Sequence, residues 1–179
     1  MSRAKTSKDL LINSVLDLME TKTIDEISVK EISLHCGLSI RTFYNNFQDK
    51  YDLMNYICEL MTQKLFSTVS PVISISAFLH FYGEFVYDNR NFFINAFKYR
   101  GQNSFDDAFF SMVKNISIAT VLQHGGEIDD QTAFSIEYFA GSITWHTKWA
   151  ISQNPAPSAE VSVERVSHCI PDALKPYFA

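Results

Sequence analysis

Cysteine is scarce. Cys36, Cys58 and Cys169 are the three present, far apart, with no Cys-x-x-Cys step and no Cys/His cluster. That argues against a disulfide framework or a zinc site and makes a reducing cytoplasm the expected location. Glycine (6) and proline (5) are few, which disfavours a many-stranded sheet with its frequent tight turns and favours long helices. No apolar run reaches the roughly 18 residues that a membrane-spanning helix needs. The polar, basic opening Met1 to Lys8 has no apolar stretch of the secretory-signal kind behind it. A Gly-rich phosphate loop, a nucleophile–histidine pairing and metal-ligand spacing are all missing, so no cofactor, metal or catalytic set is expected. Positive charge is also in deficit: the formal net charge is −5, which taken whole is a poor match for nucleic acid.

What is present is helical patterning. The 179 residues suit one domain, or a small one joined to a medium one. Leu11, Val15 and Leu18 recur at helical spacing, predicting a helix over 8–21 that Thr6 or Ser7 can cap. Ser28-Val29-Lys30-Glu31 has the form of a capping box and opens a short helix ending at Cys36-Gly37. Ser39 can cap another over 40–46, and Asp49 a fourth over about 50–67. Thr68 to Ser76, which contains Pro71, reads as a linker. Further helices are expected over 77–88, 91–99, 105–123, 131–152 and 159–169, punctuated by Gly101 to Ser104, Gly125-Gly126 and Asn154 to Ser158. Asp106-Asp107 and Asp129-Asp130 fall at helix starts, where carboxylates oppose the helix dipole, so capping explains these acid pairs.

Residues 28–50 carry the chemistry. They describe two short helices joined by a turn of about three residues, with Gly37 supplying a left-handed backbone and small Ser33 allowing a close crossing. Val29, Ile32, Leu38, Phe43 and Phe47 form the shared core. Ser39, Arg41, Thr42, Tyr44 and Asn45 remain outside it, a hydrogen-bonding face suited to a major groove. Lys30, Arg41 and Lys50 share one expected face. With Ser28 and Ile40, the candidate DNA contacts are Ser28, Lys30, Ser39, Ile40, Arg41, Thr42, Tyr44, Asn45 and Lys50. Charge by position supports this more than the total does. Residues 1–66 hold eight Lys/Arg against nine Asp/Glu (net −1), the remainder carries −4, and Arg3, Lys5 and Lys8 give the first eight residues +3.

The segment Ile32-Ser33, Cys36-Gly37-Leu38-Ser39, Tyr44, Phe47 and Lys50 resembles the DNA-binding domain of the TetR/AcrR family of bacterial transcriptional regulators, over about residues 8–66. It departs from the family pattern with Ser33 and Cys36 in place of alanine, and with Ile40 where a polar or basic residue is usual. The resemblance implies an all-α fold: an N-terminal three-helix helix-turn-helix domain (1–48) and a larger helical ligand-binding and dimerisation domain (49–179). It further implies that Tyr44 and Lys50 contact phosphates, that the second short helix reads bases, and that a homodimer binds a palindromic operator in double-stranded DNA and leaves it on binding a small-molecule inducer.

Nineteen of the 25 aromatic residues lie beyond residue 66. Aromatic stripes are usually core, yet so many suggest a lined cavity. Phe81, Phe85, Phe97, Phe109, Tyr138, Trp145 and His146 are the candidate ligand contacts. The apolar faces Ile136, Phe139, Ile143 and Val163, Val166, Ile170 are the expected dimer surface. Two other readings stay open: a TetR-like regulator that is controlled by a protein partner or acts as an activator, and, more remotely, a small cytosolic helical enzyme.

Overall fold

The computed structural model describes residues 6–68, 75–98 and 104–177. Every regular element among the described residues is helical, and the chain is all-α. Helix α1 (Ser7–Met19) starts on a capping box: Thr6 accepts from the Asp9 amide while the Asp9 carboxylate accepts from the Thr6 amide at 2.8 Å. Leu11, Val15 and Met19, one turn apart, form its buried stripe.

A 3₁₀ turn (Ile24–Glu26) that the periodicity does not announce precedes α2 (Val29–His35). Ser28 caps α2 by accepting from the Glu31 amide at 3.1 Å. The Glu31 carboxylate, which faces the Ser28 amide as the expected capping box requires, also pairs with Lys22. Gly37 has φ +71°, as the turn requires. Helix α3 (Ile40–Tyr44) is capped by Ser39, whose hydroxyl accepts from the Thr42 amide at 3.0 Å. The Asp49 carboxylate accepts from the Tyr51 and Asp52 amides and so opens α4 (Lys50–Thr68).

The remaining elements are α5 (Ile75–Asp88), α6 (Arg90–Ala96), α7 (Phe105–Gln123), α8 (Asp130–Ser152), α9 (Ala159–Ser167) and a closing 3₁₀ turn (Lys175–Tyr177). Residues 69–74 of the expected linker, Pro71 among them, and the turn at 101–103 lie outside the described residues. Asp129 caps α8, accepting from the Thr132 amide at 2.7 Å. The expectation that carboxylates at helix starts serve as caps is only half of the matter for Asp106, which forms an ion pair with Lys148 on α8.

Helix α7 packs along α8 and α5 packs along α9. Gly83 makes the second approach possible: a β-carbon there would lie 3.2 Å from Val163 and 3.3 Å from Ala159. The centre of the body is a block of phenylalanines. Phe92, Phe93, Phe97, Phe105 and Phe109 are buried and meet mostly edge to face, with Phe97 and Phe105 centred 4.8 Å apart. Burying each ring contributes about 1.5–3 kcal/mol.

Candidate nucleic-acid interface

The head is assembled so that one side of α3 is core and the other faces outward. Phe43 is fully buried, held edge-on by Tyr44 and against Phe47. On the opposite side Ile40 (42% exposed), Arg41, Tyr44 (58%) and Asn45 are exposed. Ser33, expected to let α2 and α3 cross closely, is buried on α2, and α1 is bonded to the same helix. Ser33 donates to the Val29 carbonyl, and Ser14 donates to the Ile32 carbonyl at 2.8 Å.

The nine candidate contacts separate into two groups. Ser28, Lys30, Ser39, Ile40, Arg41, Tyr44 and Asn45 are exposed, and half-buried Thr42 joins them, its hydroxyl 2.8 Å from that of Ser39. Lys50 does not share their surface. Its ammonium turns inward and donates to the carbonyls of Ile24 (2.7 Å), Asp25 (3.1 Å) and Ile27 (2.8 Å). An ammonium has three N–H groups, so the expected common face of Lys30, Arg41 and Lys50 is corrected to Lys30 and Arg41. Desolvation pulls the Lys50 pKa down against the opposing pull of Asp25 and Asp49. Of the basic N-terminal arm, Arg3 and Lys5 lie outside the described residues. The Lys8 ammonium sits 4.1 Å from the Tyr56 ring centre. Leu34, 68% exposed on α2 one turn beyond Lys30, escapes a search for polar residues, although its i+4 spacing from Lys30 places it on the same stripe.

The seven candidate ligand residues do not share one site: Phe109 borders a hollow between α4 and α7, and Trp145 and His146 border a groove on the outer side of α8. Phe97 and Phe109 belong to the solid phenylalanine block, and half-buried Phe85 meets its edge at Phe93. The Phe81 side chain lies outside the described residues. Tyr138 (63% exposed) and Trp145 (65%) are on the outer face of α8 together with Phe134 (65%). The dimer face needs the matching correction. Ile136, Phe139 and Ile143 turn inward onto the protomer's own core, and Val163, Val166 and Ile170 also pack against it. The apolar stripe left uncovered is Phe134, Tyr138 and Trp145, continued by Trp149 beneath the Arg165 guanidinium.

Described residues border hollows at several places, three of which bear on a ligand site. One of about 390 Å³ lies between α4 and α7, bordered by Asn55, Cys58, Glu59, Phe109, Met112 and Ile116. A smaller one of about 50 Å³ lies between α5, α8 and α9, where Tyr82, Val86, His146, Thr147 and Val163 meet. A groove of about 310 Å³ on the outer side of α8 runs past Trp145, His146, Trp149 and Arg165. Burial lowers the His146 pKa, with help from Arg165, and its Nε2 is buried without a hydrogen-bond partner. Arg90, which no spacing rule singles out, donates to the Ile151 and Gln153 carbonyls and closes the C-terminal end of α8.

Residues 74–172 match the TetR-type family model described as "Transcriptional regulator C-terminal region". That is more than half of the chain. The chain belongs to the TetR family of transcriptional regulators. A search of curated protein sequences finds no match. Solved structures do match, at identities that speak for the fold. The dihydroxyacetone kinase operon activator DhaS is 20% identical with a TM-score of 0.69, over 96% of this chain and 98% of that one. Thermus thermophilus FadR, a TetR-family repressor in complex with lauroyl-CoA, is 10% identical with a TM-score of 0.64, over 91% and 92%. A TetR-family regulator from Streptomyces coelicolor is 17% identical with a TM-score of 0.63, over 96% and 86%. This TetR-family chain has no described helix long and apolar enough to cross a membrane.

Proposed function

We propose that this TetR-family regulator works in the cytoplasm as a homodimer, reads a palindromic operator through α3, and is released from it by a small apolar or aromatic molecule. The observation that carries the DNA half is the two-sidedness of α3: Phe43 fully buried, with Arg41, Tyr44 and Asn45 exposed. The division of labour follows the expected boundary, residues 1–48 as reading head and 49–179 as ligand and dimer body. In the dimer, α8 meets its copy through Phe134, Tyr138 and Trp145, with α9 alongside, and the two recognition helices sit about 34 Å apart or a multiple of that.

The cavity between α4 and α7 supports the ligand half. Its volume of about 390 Å³ falls in the range of small-molecule sites, roughly 300–1,000 Å³, whereas the α5/α8/α9 slot is far below it. Asn55, Glu59 and Asn115 give it a few polar groups among apolar neighbours. One wall is α4, which begins two residues after the end of the reading head, so a ligand that tilts α4 changes the spacing of the heads. Proteins of this fold can hold an apolar acyl ligand, as the lauroyl-CoA complex of the Thermus regulator illustrates.

Operator selection from random duplexes with purified protein, followed by footprinting, tests the first half. A palindromic footprint is expected, and failure to enrich any sequence overturns it. Thermal-shift screening of apolar small molecules, with hits tested for release of the selected operator, checks the second. A second reading is activation in place of repression, favoured by the likeness to DhaS, an operon activator. Transcription in vitro from the selected promoter separates the two by the sign of the effect.

A further inference from the structure

We propose that Lys50 is a positioning residue of the reading head, one that fixes where α2 and α3 stand relative to α4, and not a ligand of DNA phosphate. The proposal rests on the reading of α3 as an operator-binding helix. Lys50 is the first residue of α4, six residues beyond Tyr44 at the end of the recognition helix. Its ammonium donates at 2.7, 3.1 and 2.8 Å to the carbonyls of Ile24, Asp25 and Ile27. These carbonyls belong to the 3₁₀ turn and to the residue just before Ser28, the cap of α2. One charged group therefore joins the two ends of the helix-turn-helix, closing residues 28–49 into a loop.

Its anchorage is firm on both sides. Ile24 and Ile27 are buried at 0% and 1% exposure, so the carbonyls sit on a turn that the core holds still. Beside Lys50, the Tyr51 hydroxyl donates to the Asp25 carboxylate at 2.9 Å and ties the same turn to α4 a second time. A cation in the first turn of a helix opposes the helix dipole. Three carbonyls, with Asp25 and Asp49 nearby, offset that cost. With all three N–H groups committed, the ammonium reaches a phosphate only by giving up bonds that hold the head together. Among the described residues, Lys30 and Arg41 are left as the cations the head turns outward from α2 and α3.

Phosphate ligands and positioning residues differ in a measurable way. Loss of a phosphate contact weakens every duplex alike and reduces the salt slope by about one per subunit. Loss of a positioning residue spoils the fit to the operator while leaving general attraction intact. Arginine also separates the roles: it serves a phosphate well, but its planar fork cannot send three N–H groups from one nitrogen to three carbonyls.

The experiment measures binding of wild type, Lys50→Met, Lys50→Arg and Tyr51→Phe to the selected operator and to a non-operator duplex of equal length. Each is followed by fluorescence anisotropy across a KCl series, with thermal unfolding of every protein in the same buffers. Lys50→Met and Lys50→Arg are each expected to lose about tenfold in operator affinity, with non-operator affinity and salt slope at the wild-type value. Tyr51→Phe, which removes only the second tether, is expected to lose about two- to threefold of the operator preference and to stay folded. That variant carries the test where the lysine variants unfold. A reduced slope with equal losses on both duplexes in Lys50→Met, together with wild-type slope and affinity in Lys50→Arg, overturns the proposal in favour of phosphate contact. Equal losses on both duplexes that track the unfolded fraction overturn it in favour of a purely structural role. Wild-type protein that binds neither duplex overturns the operator reading itself and this assignment with it.

Discussion

The hydroxyls of Tyr82 on α5 and Thr147 on α8 meet at 3.2 Å inside the wall of the α5/α8/α9 slot. Thr147 donates to the Ile143 carbonyl of its own helix at 2.8 Å, which leaves its oxygen to accept from the phenol. Burial pushes the Tyr82 pKa far above its ordinary value. Tyr82→Phe is expected to cost about 1 kcal/mol in urea unfolding at neutral pH. The unfolded chain releases this proton near its ordinary pKa of about 10 while the folded chain retains it, so the stability tied to Tyr82 is present below that pH and is lost as pH rises beyond it. Alkaline destabilisation should accordingly be shallower in Tyr82→Phe. Parallel curves for the two proteins would show that the phenol is not shielded.

His146 gives the opposite pH dependence. Burial and Arg165 lower its pKa, so the unfolded chain takes up a proton first on acidification. Stability contributed by the neutral imidazole is present above about pH 6.5 and is lost as pH falls through the folded pKa. His146→Leu should remove that part of the acid sensitivity, read as the change in urea midpoint between about pH 7.5 and 5.5. An unchanged slope would contradict the assignment of a buried neutral ring.

Arg41 and Lys30 should fail differently on DNA. Arg41→Ala is expected to weaken the selected operator about tenfold and to relax base preference at one position per half-site. Lys30→Ala should weaken operator and random duplex alike and reduce the salt slope by about one per subunit. Anisotropy titrations at several KCl concentrations measure both, and identical profiles for the two variants would sink the division between reading and anchoring.

The outer stripe of α8 makes a prediction about assembly. Tyr138 and Trp145 are 63% and 65% exposed in the protomer, and large aromatic side chains at the centre of an interface dominate its energetics. Trp145→Glu and Tyr138→Glu should each weaken dimerisation by about thirtyfold or more, seen by sedimentation as a shift to monomer. Ile136→Val, on the inward face, should leave the dimer intact and cost only folding stability of about 0.5–1.5 kcal/mol.

Gly37 isolates a backbone effect. Its φ is +71° and a β-carbon there would meet nothing within 4 Å. Gly37→Ala should therefore cost about 1 kcal/mol from conformation alone, read from urea unfolding. A larger loss would mean that α2 and α3 have shifted.

Residue by residue, legibility follows the range of the interaction. Thr6, Ser28, Ser39, Asp49 and Asp129 cap the helices they were expected to cap, because a cap depends on groups three residues away. The 3₁₀ turn at Ile24–Glu26 leaves no periodic trace in three residues. The Lys50 clamp spans 23 to 26 residues of sequence, beyond any local rule. The outward face of α3, with Arg41, Tyr44 and Asn45 exposed, was legible because a short helix with two buried phenylalanines nearby has one side left for polar groups. Which aromatics border a hollow, as Phe109 does, and which fill the block, as Phe93 does, was not legible, because aromatic content says how much must be buried and nothing about against what.

The sequence alone determined the helices, their caps, the Gly37 turn and the two-sidedness of α3, since each is set by hydrogen bonds and side-chain spacing within a turn or two. Tertiary structure decided three other matters: that Lys50 faces carbonyls instead of solvent, that the phenylalanines of α6 and α7 close into a solid block beside a cavity walled by α4, and that the uncovered stripe of α8 is Phe134, Tyr138 and Trp145. The reason is the same in each case. Helix α8 is apolar on both sides, so its pattern admits either face as the buried one, and packing against α7 selects between them. A lysine at a helix start has a stem long enough to point either way, and the distant 3₁₀ turn supplies the carbonyls that fix its direction.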